Sequence, residues 1–334
     1  MTDTVRIAVL GCGRIGRMHA DLVANRVPGA ALHSVFDVAP AAAAEVAARY
    51  GVPAMASVDD VLASDADAVA ICTTTGTHAE LIVQAARSGK PTFCEKPISL
   101  DLRTVDEAIA AVDAAGTLLQ IGFNRRFDPG HQAVQRAVAS GELGDLWTVK
   151  ITSRDNYPPS IEYLASSGGM FLDMTIHDFD LARFVVGSEV VEVYAAGAVL
   201  VDPKIAEVGD VDTSVVTMRH ESGCFTIIDN SRAAGYGYDQ RLEAFGSKGI
   251  ALSENPVQHA TVIRTGTGYR GAPMFESFPD RYELAFQREW EAFVDALRTG
   301  GESPASGRDA RAPLVIGLAA NESLRTGVPV KVAG

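Results

Sequence analysis

Residues 5–16 read VRIAVLGCGRIG. An apolar run stops at three glycines in GxGxxG spacing, and an amphipathic stretch continues to about residue 26. A strand that turns at once into a helix needs these glycines for separate reasons. Gly11 permits the tight turn, Gly13 lets a ligand approach the backbone, and Gly16 lets the helix pack closely on the strand. The first N–H groups of such a helix lack partners and attract phosphate. The spacing alone is a weak signal. Here a strand precedes it, a helix follows, and Asp37 stands 21 residues after Gly16, at the end of the next apolar run. Together these features specify a dinucleotide-binding turn in a doubly wound parallel sheet.

The following segments keep the rhythm. Further strands are expected at 31–36, 67–72, 91–94 and 118–123, with helices at 39–49, 77–88 and 101–115 between them. Strands alternating with helices of this length imply an α/β Rossmann domain. THAE at 77–80 matches a capping box, with Thr77 as N-cap and Glu80 three residues on. His78 then falls in the first turn and is read as solvated. A carboxylate at Asp37 accepts hydrogen bonds from ribose hydroxyls and repels a 2′-phosphate. Val38 and Ala39 offer no arginine to neutralise that phosphate, so the expected cofactor is NAD, not NADP. Ile15 and Thr73 join the glycines as candidate cofactor contacts. Arg14 either lies along the pyrophosphate or is solvated.

At 334 residues the chain is long enough for two domains. Its net charge of −13, without a basic cluster, argues against nucleic acid. No stretch approaches the roughly 20 apolar residues of a membrane span. MTDTVRIAVLGCG lacks the cationic start of a signal peptide, so a cytoplasmic protein is expected. Cys12, Cys72, Cys94 and Cys224 are scattered singly, without zinc-ligand spacing, and no metal is expected.

After residue 123 the alternation ends, which sets domains of 1–123 and 124–334. The second reads as α+β. Helices are expected near 129–140, 173–186, 281–299 and 308–326. Long strands at 146–156 and in VVEVYAAGAVL, TSVVTMRH, GCFTIIDNSRA and YDQRLEAFG, joined by direct turns, form a largely antiparallel open sheet. Helices on one face leave the other to be covered, and apolar residues there can pair subunits.

Two stretches carry chemistry. In FCEKP, residues 93–97, Cys94 ends a strand, so Glu95 and Lys96 emerge at the carboxyl edge where ligands bind. Glu95 and Lys96 are therefore candidate cofactor contacts, and Pro97 fixes their local geometry. In FLDMTIHDFDLARF, residues 171–184, three aspartates and a histidine interrupt apolar residues. As a helix, Asp173, His177 and Asp180 fall at i, i+4 and i+7 on one stripe. Asn124, Arg125, Asp155, Asn156 and Tyr236 end or flank strands, where each is equally a substrate contact or local structure.

GCGRIG with Asp37, FCEKP, GFNRRFD at 122–128 and SGGMFLDMTIHDFD at 167–180 stand in the order found in the glucose–fructose oxidoreductase/inositol dehydrogenase family, Gfo/Idh/MocA, which the chain resembles over essentially its full length. GFNRRFDPGH, DMTIHDFDLARF, NSR at 230–232 and YGYDQRLEAFGSKG are most similar to its bacterial inositol 2-dehydrogenases.

The resemblance implies that Lys96, Asp173 and His177 are catalytic and that the polar stripe faces an interdomain cleft. It also implies a homotetramer built through second-domain sheets. The implied reaction belongs to inositol catabolism: NAD-dependent oxidation of a neutral polyol, myo-inositol, to 2-keto-myo-inositol. In that reading His177 takes the hydroxyl proton, Asp173 orients it, and Lys96 stabilises charge on the reacting oxygen. Asp180 and the flanking polar residues bind the other hydroxyls. Some inositol dehydrogenases carry methionine at the place of Asn124, and histidine and asparagine at those of Ser153 and Asp155. The stereoisomer preferred is therefore open, with scyllo-inositol or a pyranose as alternatives. Another enzyme of the family, or a nucleotide-sensing regulator without catalysis, are the competing readings. Such regulators usually lack the lysine or histidine that this chain retains.

Overall fold

A computed structural model describes residues 4–332. The apolar runs of the first half become β1 (Val5–Leu10), β2 (Ala30–Phe36), β3 (Ala68–Ile71), β4 (Thr92–Cys94) and β5 (Leu119–Ile121). They form one sheet in the order β2-β1-β3-β4-β5, parallel throughout. All carboxyl ends therefore emerge on one edge, and the order reverses between β1 and β3, where such sheets bind nucleotides. Every residue of β3 and β4 is buried. Coverage on both faces is why these strands read as continuous apolar runs.

The intervening helices are α1 (Arg14–Asn25), α2 (Pro40–Tyr50), α3 (Val58–Ala63), α4 (Thr75–Arg87) and α5 (Leu102–Ala115). The capping box expected at Thr77 does not form. α4 begins two residues earlier, with Thr74 in the N-cap position. Thr77 is thus already inside the first turn, and its hydroxyl donates back to the Thr74 carbonyl at 2.9 Å.

The chain divides into two compact units. One runs to Asn124 and takes in Ala285–Ala312; the other comprises Arg125–Leu284 and the chain from Pro313 onward. The break lies within a residue of the expected boundary, but assigning everything after it to the second domain is corrected. Ala285–Ala312 folds with the first unit because its side chains complete that core. Trp290 stacks on Phe93 with ring centroids 4.4 Å apart. The Ile121 N–H donates to the Ala305 carbonyl at 2.8 Å.

The second unit begins with α6 (Pro129–Ala139), capped by Asp128, whose carboxylate accepts from the N–H groups of Gly130 and His131. Then come β6 (Leu146–Arg154), α7 (Ile161–Ser167), α8 (Ile176–Val186), β7 (Val190–Ala198), β8 (Thr213–His220), β9 (Phe225–Ser231), β10 (Asp239–Gly246) and β11 (Gly249–Ser253). With β12 (Ile263–Thr265) and β13 (Gly268–Arg270) as a small hairpin, β14 (Val330–Lys331) completes a seven-stranded sheet, order β11-β10-β6-β9-β8-β7-β14. Its pairings are antiparallel except β6 with β9. The remaining helices are α9 (Phe278–Arg281), α10 (Glu283–Thr299) and α11 (Gly307–Thr326).

Val149, Ile151, Phe179, Val185, Val216 and Ile316 share the core under one face of that sheet. On the other face Phe225, Ile227, Phe245, Ile250 and Leu252 are exposed. The alternation along β8 is nearly strict, in for one residue and out for the next.

Candidate active site

In the first unit the three glycines of the turn do different work. Gly11 has φ +96°, and a Cβ there would sit 2.6 Å from the Cys72 carbonyl oxygen. A Cβ on Gly16 would overlap the Gly11 carbonyl oxygen at 1.9 Å. One on Gly13 would meet nothing within 4 Å, so Gly13 faces open space. Gly13 is also the N-cap of α1, with no side chain capping it and no acid in the first turn. The first N–H groups of a helix with such a start attract an anion. Arg14 is exposed beside them.

Asp37 follows β2. One carboxylate oxygen accepts from the Cys12 N–H at 2.6 Å and the other from the Ala39 N–H at 2.8 Å. These bonds hold the carboxylate in a fixed orientation and leave lone pairs on both oxygens. Thr73 follows β3, its hydroxyl 2.7 Å from that of Thr77.

Beyond β4, the Lys96–Pro97 peptide bond is cis. Lys96 is half-buried, and its N–H donates to Glu95 Oε2 at 3.2 Å. Glu95, expected as a cofactor contact, turns its side chain into the unit. Its Oε1 lies 2.7 Å from His19 Nε2, and His19 Nδ1 accepts from the Trp290 indole N–H at 2.9 Å. Burial pushes the Glu95 carboxyl up, but the hydrogen bond to His19 and the nearby Lys96 and His78 prevail, and the group lies below its ordinary value.

In the second unit the 171–184 stretch is not one regular helix. Met170–Met174 form a wide π-helical turn, and α8 starts only at Ile176. Every residue from Met170 to Ala182 is buried except Asp173 and His177, which reach solvent. Asp173 Oδ1 accepts from the Tyr163 hydroxyl at 2.8 Å, and its Oδ2 lies 3.5 Å from Nη1 of the buried Arg232. Nη2 of the same arginine lies 3.4 Å from Asp210, which also accepts from the Met170 N–H at 2.8 Å and so anchors the wide turn.

Three of the expected substrate contacts are engaged with other side chains of the second unit. Asp180 does not continue the open stripe. It is buried, and both its oxygens accept from Arg126, at 2.6 and 2.8 Å. Arg125 is likewise committed internally. It is paired with Asp178 and donates to the Ser153 hydroxyl at 3.2 Å. Asn230 donates to the other Asp178 oxygen at 2.9 Å. Burial pushes the Asp178 carboxyl up against the pull of Arg125, Asn230 and Ser153. Tyr236 donates to Asp239 and accepts from Arg154, each at 2.7 Å, which ties it to the sheet.

Of the other candidates, Asn124 is buried in a short 3-10 turn, Asn124–Phe127, and Asn156 is half-buried just past β6. Asp155, also just past β6, differs: among the described residues none donates a hydrogen bond to its carboxylate. Burial pushes its pKa up to about 6. Arg232 and Arg125 oppose the shift, while Asp173 and Asp178 add to it. These charges thus surround Asp155 within the second unit.

Sequence reasoning missed His19, Trp290 and Arg232, whose partners lie far away along the chain, and Tyr163, which bonds Asp173 ten residues on. It also misread His78, which is buried between two backbone carbonyls.

Residues 5–123 match the oxidoreductase family with an NAD-binding Rossmann fold, and residues 131–252 match the GFO/IDH/MocA C-terminal domain. The chain belongs to the Gfo/Idh/MocA family of oxidoreductases. Among relatives, it is 45% identical to an inositol 2-dehydrogenase of Rhizobium meliloti, covering 99% of this chain and 100% of that one. It is 42% identical to a myo-inositol 2-dehydrogenase of Thermotoga maritima, covering 98% of each. The crystal structure of a myo-inositol dehydrogenase from Corynebacterium glutamicum superposes with a TM-score of 0.94 at 39% identity, covering 99% of each chain.

The residues fit the dinucleotide of this family. Open space at Gly13, the uncapped start of α1 and the oriented Asp37 carboxylate are what a pyrophosphate and an adenosine ribose require. When bound, NAD supplies a hydride acceptor.

Proposed function

We propose that this protein oxidises myo-inositol at its 2-hydroxyl carbon, with NAD as hydride acceptor, to give 2-keto-myo-inositol. The observation that carries the reading is that Asp173 and His177 alone keep partial access to solvent within an otherwise buried 13-residue run, Met170 to Ala182. A carboxylate and an imidazole held at partly open positions of an otherwise buried run are candidates for a functional site.

His177 accepts the hydroxyl proton as hydride leaves the same carbon. Asp173, itself held by Tyr163 and Arg232, stabilises the imidazolium that forms. Lys96 donates to the oxygen while negative charge develops on it. Asp155 accepts from a neighbouring ring hydroxyl, which gives an otherwise unbonded carboxylate a partner. A ring with a hydroxyl on each carbon satisfies many such groups; a simple alcohol would leave them unpaired at roughly 1–3 kcal/mol each. The inositol assignment draws on the named activities of the relatives.

Ser153, one position where related enzymes differ, is fully buried against Arg125, so Asn124 and Asp155 are the better candidates for setting the stereoisomer. The test is kcat/KM with NAD for myo-inositol, scyllo-inositol, D-chiro-inositol and D-glucose side by side. A tenfold advantage for any of the others over myo-inositol would reject the named substrate and leave the dehydrogenase chemistry standing.

The working form is proposed to be a tetramer joined through the open sheet face. Register places Phe225, Thr148, Phe245 and Ile250 in one row across β9, β6, β10 and β11. Exposed Phe225, Phe245 and Ile250 grouped on one sheet face favour burial against another surface. Sedimentation of a monomer at micromolar concentration would exclude it. The four cysteines are free and buried, and no helix among the described residues is long and apolar enough to cross a membrane. Both features agree with a cytoplasmic location, which we adopt as part of the proposal.

A further inference from the structure

His78 is buried in α4, and each of its ring nitrogens meets a backbone carbonyl. Nδ1 lies 2.8 Å from the Pro97 oxygen and Nε2 lies 3.0 Å from the Thr73 oxygen. A carbonyl oxygen can only accept. A neutral imidazole carries one N–H and satisfies one of these contacts. At the other, its lone pair would face an oxygen lone pair at hydrogen-bonding distance. Only the imidazolium, with a proton on each nitrogen, makes both contacts attractive.

Two forces oppose that charge. Burial disfavours it, and a cation in the opening turns of a helix sits near the positive end of the helix dipole. Two charge-assisted hydrogen bonds work the other way. So does Glu95, which interacts electrostatically with both His78 and Lys96. His19, which also meets Glu95, contributes a hydrogen bond and no charge, because the Trp290 N–H occupies its Nδ1, and burial pushes the neighbouring Cys72 and Cys94 thiols well up, which keeps them neutral. The local balance is therefore one carboxylate between two cations.

We propose that His78 is held as an imidazolium clamp that ties the loop after β3 to the loop after β4 and thereby positions Lys96 for hydride transfer. One end grips the carbonyl of Thr73, a candidate cofactor contact. The other grips Pro97, the residue bonded directly to Lys96. His78 is a positioning residue in this scheme, since it acts only through its neighbours. The positioning half rests on the role proposed above for Lys96; the clamp itself does not.

Two measurements on the full-length protein test it. A neutron crystal structure of the unmodified chain at pH 7.5 is expected to show hydrogen isotope on both ring nitrogens of His78. A bare nitrogen at either place would overturn the clamp, and this result needs no variant to fold. His78→Gln and His78→Asn keep a donor for one carbonyl but carry no charge. In these variants kcat should fall by about tenfold or more, with the Kd for NADH changed by less than about threefold, because misplacing a reacting group costs rate more than binding. Folded variants with unchanged kcat, or with kcat and NADH affinity lost in equal measure, would overturn the positioning role. Failure of the unmodified enzyme to oxidise any polyol would instead reject the Lys96 reading, and the neutron result would still decide the clamp.

Discussion

The indole N–H of Trp290 donates to Nδ1 of His19 at 2.9 Å, and that one bond places the imidazole proton on Nε2, facing Glu95 at 2.7 Å. An indole nitrogen can only donate, so the tautomer has no freedom. The acid that precedes Lys96 is thus steered from a helix nearly 200 residues later in the chain. Trp290→Phe would leave a buried acceptor unsatisfied and a gap beside Phe93. The expected cost is about 2–4 kcal/mol, seen as a lower urea midpoint at constant m-value. An unchanged midpoint would show that the bond contributes nothing to stability.

The Asp37 carboxylate is locked by two backbone N–H groups, so it cannot swing away from a 2′-phosphate. NAD should outperform NADP in kcat/KM by at least about tenfold, equivalent to roughly 1.4 kcal/mol. Asp37→Ala should narrow that gap, although it also unties the glycine turn from β2. Equal kcat/KM for the two cofactors in the unmodified enzyme would refute the selectivity.

Lys96→Ala should lose most of kcat, on the order of 100-fold or more, while NADH binding survives, because its proposed work is on the reacting oxygen. His177→Ala should lose turnover similarly and flatten the acidic limb of the pH–rate profile. Near-full turnover in both variants would remove the site assignment.

Asp155 makes a prediction about pH. Its folded-state pKa, about 6, lies above the ordinary carboxyl value of 3.8. Folding therefore favours its protonated form. That contribution to stability is fully present below about pH 4 and is lost as pH rises through 6. At pH 8 the ionised group costs on the order of 2–3 kcal/mol. Asp155→Asn should accordingly raise Tm at pH 8, and the gain should disappear by about pH 4. A gain independent of pH would mean that packing, not charge, causes it.

Much of this was readable in the chain because the signals are local. Strand, glycine turn, helix and Asp37 fall within some 30 residues, and a parallel sheet buried on both faces announces itself as apolar runs. The site was readable in part. Spacing puts Asp173, His177 and Asp180 on one stripe, and the family resemblance adds Lys96, but which aspartates of that stretch stay open is not visible in it. Whether an aspartate is open or buried was decided by Arg125 and Arg126, more than 50 positions earlier. His78 was misread for a similar reason: THAE has the letters of a capping box, while the carbonyl that takes the histidine is Pro97, 19 residues away. The return of Ala285–Ala312 to the first unit is also non-local, and no composition change marks it.

The adjacent arginines have one more effect. α8 carries apolar side chains on several sides, Phe179, Leu181, Ala182 and Val185 among them, all buried. Such a cylinder can roll about its long axis and still bury hydrocarbon, so packing alone fixes its position better than its azimuth. Arg125 on Asp178 and Arg126 on Asp180 act as two pins two residues apart on that cylinder, and they index its rotation. The bearing of His177 is then set through the two aspartates that follow it in sequence and their arginines. Removing both pins with Asp178→Asn and Asp180→Asn should leave a folded helix whose His177 samples several directions, visible as multiple imidazole resonances; a single sharp resonance would show that hydrocarbon packing alone sets the angle.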